Sequence, residues 1–154
     1  MKNKLIPYAF IIATTLFSCN KNNDYTIYHK FQDQTWKRFN ILQFEIPVEV
    51  TKKTYDVVFF ARISKDYAHD YLDFNMVMTT PSGEERIKEY RINIKNKTGS
   101  FLQSFTGDSC EYTINLKRGI TLTKGTMILQ IENLIPRLET NGLLGAGIKL
   151  HPLP

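Results

Sequence analysis

The feature that most restricts the fold is a strict alternation at residues 42–50. Leu42, Phe44, Ile46, Val48 and Val50 take one set of positions, and Gln43, Glu45, Pro47 and Glu49 take the other. Successive side chains of an extended chain point to opposite faces, so this run has one apolar and one polar face, whereas at 100° per residue the same five would scatter around a helix axis. Pro47 has no N–H to give to a ladder, which predicts an edge strand or a bulge. Residues 55–63 follow a polar break and place Tyr55, Val57, Phe59, Ala61 and Ile63 on one face with Val58 and Phe60 on the other. Apolar residues on both faces predict a central strand.

The same period continues along the chain. Residues 71–80 put Leu72, Phe74, Met76 and Met78 inward, and Pro81-Ser82-Gly83-Glu84 turns the chain into 86–94, a hairpin that sends Ile87, Glu89, Arg91 and Asn93 toward water. Residues 96–109 read as a loop whose Phe101, Leu102 and Phe105 tuck back onto the core. Residues 110–116 form a strand, Lys117-Arg118-Gly119 a turn, 126–133 another strand and 134–142 an irregular stretch. Leu144, Ala146, Ile148 and Leu150 line a last strand, with Gly145 and Gly147 opposite them allowing another backbone to come close. The expected fold is all-β, an antiparallel, jelly-roll-like β-sandwich of seven to eight strands, with no helix and no internal repeat.

Ahead of this domain lies a different kind of segment. Lys2 and Lys4 precede 13 residues, 5–17, that are apolar apart from threonines, and Leu16-Phe17-Ser18-Cys19 closes the stretch. A membrane-spanning helix needs about 20 apolar residues, whereas the h-region of an export signal has about 7–15. The tetrapeptide resembles a bacterial lipobox, in which the cysteine thiolate is alkylated by a diacylglycerol and becomes the new N-terminus. The expected organisation is a lipoprotein signal peptide at 1–18, a lipidated Cys19 with a polar linker at 19–24, and one domain at 25–154. The membrane is then a partner through the acyl chains on Cys19.

That division changes the meaning of the charge. The chain of 154 residues carries +5 and has a pI near 9.2, which invites a nucleic-acid reading. Removing Lys2 and Lys4 with the signal leaves +3, and the remaining cations lie in short turns, so no nucleic-acid partner is expected. With Cys19 committed to lipid, Cys110 has no intrachain partner and reads as a small buried hydrophobe.

Motifs for nucleotide, flavin, zinc-protease or triad chemistry are missing from the sequence, so neither a cofactor nor catalysis is expected. Asp66, His69, Asp70 and Asp73 lie within eight positions and offer calcium or zinc donors, but without EF-hand spacing. A solvated crossover loop accounts for them, and no metal site is assigned. A single tryptophan and several tyrosines raise a second function, stacking of sugar rings; Trp36, Tyr67 and Tyr71 are the candidate ligand or partner contacts.

Several segments occur together in the order of a known family. The lipobox at Cys19, Phe31-Gln32-Asp33-Gln34-Thr35-Trp36, residues 55–62, the loop with Tyr67, Pro81-Ser82-Gly83, Gly107-Asp108 and the Gly-rich end at 142–150 resemble the GldH-type gliding-motility lipoproteins of Bacteroidetes. The resemblance implies a lipid-anchored protein of the cell envelope with envelope protein partners and no established catalytic residues. Surface-exported lipoproteins of that phylum carry acids soon after the cysteine; here Asp24 is the first. A periplasm-facing position is therefore expected, with inner or outer membrane left open. A glycan-binding envelope module is the alternative.

Overall fold

The computed structural model describes residues 24–154, so Cys19, the signal segment and all of the linker but Asp24 lie outside the described residues. Ten strands follow one another: β1 (Tyr25–Lys30), β2 (Thr35–Lys37), β3 (Leu42–Val48), β4 (Lys53–Ser64), β5 (Tyr71–Thr79), β6 (Glu85–Asn93), β7 (Ser109–Leu122), β8 (Gly125–Asn133), β9 (Glu139–Asn141) and β10 (Leu143–Pro152). Two four-stranded antiparallel sheets, β1-β10-β4-β7 and β3-β8-β5-β6, face each other, and β2 pairs with β9 in a separate ribbon. Eight long strands distributed in this order are the wrapping of a jelly roll. The count exceeds the expected seven or eight because β2 and β9 have three residues each, too few to show a period.

Alternation places the core. β3 is buried at every second residue from Leu42 to Val48 and lies at a sheet edge, where the missing N–H of Pro47 costs the ladder nothing. β4 is central in its sheet, and Phe59 meets Phe74 of the opposite sheet with ring centroids 4.4 Å apart. Its other face is covered too. Tyr28 stacks on Phe60, Arg62 lies 4.8 Å from the Tyr28 ring, and Glu111 accepts hydrogen bonds from Arg62 and Lys149. Burial works against charge on Glu111, but the bonds from Lys149 and Arg62 outweigh it and hold its carboxyl below the usual range. Gly145 and Gly147 make room for this cluster: a Cβ at 145 would overlap the Tyr28 hydroxyl, and one at 147 would strike the Ile27 carbonyl.

Four local expectations need correction. Val50 is exposed, because β3 stops at Val48 and the chain turns through Lys52 at φ 61°. Lys117-Arg118-Gly119 is not a turn but a bulge inside β7, where the register slips between Tyr55 and Val57 and the Gly119 N–H bonds the Asp56 carboxylate at 2.8 Å. A second slip at the start of β10 turns Leu143 inward and leaves Leu144 only half-buried. Leu102 points outward while Phe101 and Phe105 pack against the core.

One turn is built against local preference. Asp33 and Gln34 both have left-handed backbones, at φ 52° and 51°, and the Thr35 N–H closes the turn on the Gln32 carbonyl. This conformation costs an L-residue roughly 1 kcal/mol and glycine nothing, although glycine gives part of that back as unfolded-chain entropy. Gln34→Gly is expected to raise the unfolding free energy by about 0.5 kcal/mol in urea titration; a fall would mean that the Gln34 side chain stabilises the turn.

Candidate functional site

The topology sorts the loops to two ends. Asp24 lies beside Val50, Lys53 and Leu150, next to the last strand residues and the 49–52, 80–84 and 123–124 turns. The opposite end carries residues 31–41, 65–70, 94–108 and 134–142, all four of which cross from one four-stranded sheet to the other, the first and last by way of the β2–β9 ribbon. With 12 residues in β4 at about 3.3 Å each, the two ends stand roughly 35 Å apart.

At this far end, buried polar side chains fix each loop. Trp36 is fully buried, stacks on Phe31 at 5.2 Å and donates its indole N–H to the Asn40 carbonyl at 2.9 Å. Tyr67, also buried, donates its hydroxyl to the Tyr71 carbonyl at 2.8 Å, and Lys95 Nζ donates to the Tyr67 carbonyl. Burial drives the Tyr67 phenol far up, so it stays a donor. Tyr112 donates to the Ile94 carbonyl and accepts the Gln103 N–H. Asn133 spans Thr140 and the Ile135 N–H, fixing the approach to β9.

These bonds bear directly on the sugar-stacking candidates. Trp36 and Tyr67 offer no ring face to solvent, because the rings are struts under loops. Tyr71 is half-buried, and its ring already carries the Arg91 guanidinium at 4.0 Å, itself held by two bonds to Asp73. The acidic run does not converge either: Asp73 is taken by Arg91, and His69 lies edge-on to Tyr67. Burial, then Arg137 and Lys95, push the His69 imidazole below its ordinary value, against the opposing effect of Asp70. Among the described residues no three His, Cys, Asp or Glu side chains gather in a metal-holding group. Cys110 is buried, which raises its thiol.

What this end does expose is apolar. Phe39 is 79% exposed, Leu138 73% and Ile41 52%, and Leu102 joins them on the 94–108 loop. Phe39 and Leu138 line one shallow recess with Lys37, Arg38, Asn40 and Glu139. The ribbon sets them side by side: Lys37 pairs with Glu139, and the Arg38 N–H donates to the Leu138 carbonyl at 3.0 Å. The loop is rigid where it matters, since the Asn40 N–H returns to the Lys37 carbonyl and Trp36 clamps Asn40 from below. Sequence reasoning missed this patch. Its one legible signal was that Phe39 and Leu138 belong to no alternating run, so no strand turns them inward.

The family model described as GldH lipoprotein matches residues 23–150. Over 158 aligned residues the chain is 23% identical to the Gliding motility lipoprotein GldH of Flavobacterium johnsoniae, covering 98% of each. Among solved structures, a tripeptidyl peptidase 2 aligns at TM-score 0.45 and 12% identity over 81% of this chain and 10% of its own length. Dimeric latent PorU from Porphyromonas gingivalis aligns at TM-score 0.39 and 7% identity, over 84% of this chain and 13% of its own. The match that spans the jelly roll from before β1 to near the end of β10 is decisive: the chain belongs to the GldH lipoprotein family.

Proposed function

We propose that this protein is a lipid-anchored accessory or scaffold component of a cell-envelope assembly, held in the membrane by acyl chains on Cys19 and acting by contact rather than by catalysis. The observation that carries the reading is the placement of Phe39, Leu138 and Ile41, solvent-exposed on a braced ribbon at the end of the sandwich remote from Asp24. Water-exposed Phe and Leu cost solubility, and a side-by-side cluster of them marks a contact surface. The name of the Flavobacterium johnsoniae relative supports a place beside gliding-motility machinery. A periplasm-facing position fits the single late acid after Cys19. The glycan-binding alternative is weakened by the burial of Trp36 and Tyr67 and the occupied face of Tyr71.

Metabolic labelling with palmitate and membrane fractionation test the anchor. The unmodified protein is expected to be labelled and to sediment with membranes, while Cys19→Ala loses the label. An unlabelled, soluble unmodified protein would overturn the proposal. Two or more hydrophobic anchors hold a protein far more firmly than one chain, so the sedimenting fraction should resist salt washing.

A further inference from the structure

We infer that the Phe39–Leu138 tip and the groove beside it bind an extended acidic segment of a protein partner, with an apolar side chain of that segment seated between Phe39 and Leu138. The inference rests on the envelope-scaffold reading above and names the chemistry of the partner.

Three observations carry it. The first is charge. Lys37 and Arg38 line the tip recess, Arg137 adjoins Leu138, and a second recess that shares Lys37, Asn40 and Glu139 with the first adds His29 and Lys30. Against Lys30, Lys37, Arg38 and Arg137 stand Asp33 and Glu139, and none of the four cations is in an ion pair among the described residues. Unpaired cations around an apolar centre favour a partner that brings carboxylates and steer its approach. The second observation is shape: the recesses, about 430 and 620 Å³, share their rim along the β2–β9 ribbon and form a track rather than a closed pocket. A track of this form suits an extended chain better than a small molecule.

The third observation is position, which separates a protein from a bilayer. Exposed Phe and Leu among cations also suit anionic lipid. A lipid anchor at Cys19, however, holds the end that carries Asp24, and the five residues from Asn20 to Asp24 reach at most about 17 Å even at full extension. The tip lies roughly twice as far away, at the other end of β4. The anchoring membrane therefore meets the opposite loops, and the tip points away from it.

The test is photo-cross-linking in cells with the full-length anchored protein, p-benzoylphenylalanine replacing Phe39 or, separately, Leu138. Adducts are mapped by mass spectrometry, and circular dichroism confirms that each variant is folded. A protein adduct is expected at both positions, mapping to a partner segment with an excess of Asp and Glu. Arg38→Glu with Arg137→Glu should lower its yield about tenfold, as reversal of interface charge does. Lys52→Glu with Lys124→Glu, the same change in net charge at the other end, should leave it intact. A protein adduct on a neutral or basic segment, or one indifferent to the Arg38 and Arg137 reversal, overturns this inference and leaves the scaffold reading standing. Lipid adducts overturn it in favour of a membrane contact, an adduct to a second copy in favour of self-association, and no adduct at either position removes the scaffold reading as well.

Discussion

Gly142→Ala is expected to remove about 3–5 kcal/mol of stability, while Gly99→Ala, at nearly the same backbone angle, removes only about 1 kcal/mol. Both glycines are left-handed, at φ +82° and +81°, so both substitutions carry the same conformational cost. They differ in surroundings. A Cβ on Gly99 meets nothing within 4 Å, whereas one on Gly142 would overlap the backbone of Asp66 and Tyr67. Those atoms cannot rotate away as a side chain would. The Ser64 N–H also bonds the Gly142 carbonyl at 2.9 Å, so displacing Gly142 pulls on the end of β4 and on the buried Tyr67 loop together. A domain of this size is stable by only about 5–15 kcal/mol, so the loss at Gly142 is a large fraction of the total. Urea unfolding followed by circular dichroism gives both values; equal losses would mean that contact at 142 contributes nothing.

How far this architecture can be read in the residues depends on segment length. β3, β5 and β8 are long enough for period two to repeat three or four times, and their inward residues are the ones expected. Two of the failures share one cause. At residues 143–145 a slip of a single residue exchanges the two faces, and near 117–119 two successive slips leave the faces unchanged but insert extra residues that read as a turn. A local pattern cannot display this, because the slip is set by what the partner strand does. The three-residue strands β2 and β9 are invisible for a related reason: neither has a period, and each exists because the other lies beside it.

The site is harder to read than the fold. Aromatic residues carry the same chemistry whether they brace a loop or face a ligand, and burial decides which. Trp36 and Tyr67 sit under loops that close only in three dimensions, while Phe39, three residues from Trp36, is left outside. Position in the wrapping produces the difference, since the β2–β9 ribbon turns one side of the 31–41 segment onto the core and the other to water. The same topology places Asp24 and the tip at opposite ends, a relation that the sequence does not display.

Trp36→Ala is accordingly expected to cost about 3–5 kcal/mol, the usual loss when a fully buried large aromatic is truncated. Two terms add. The cavity left beside Phe31 forfeits the stacking contact at 5.2 Å, and the Asn40 carbonyl loses the indole N–H that holds the tip. Trp36→Phe keeps most of the volume and loses the donor, so it should cost about 1–2 kcal/mol while loosening residues 37–41. Hydrogen exchange then separates the two roles: in Trp36→Phe the Asn40 amide, bonded to the Lys37 carbonyl, should exchange faster while the β4 and β5 amides keep their protection. A solvent-facing sugar platform predicts the reverse, with both variants within about 0.5 kcal/mol of the unmodified protein. Stability unchanged in Trp36→Ala would therefore restore the glycan-binding reading and remove the brace under the tip.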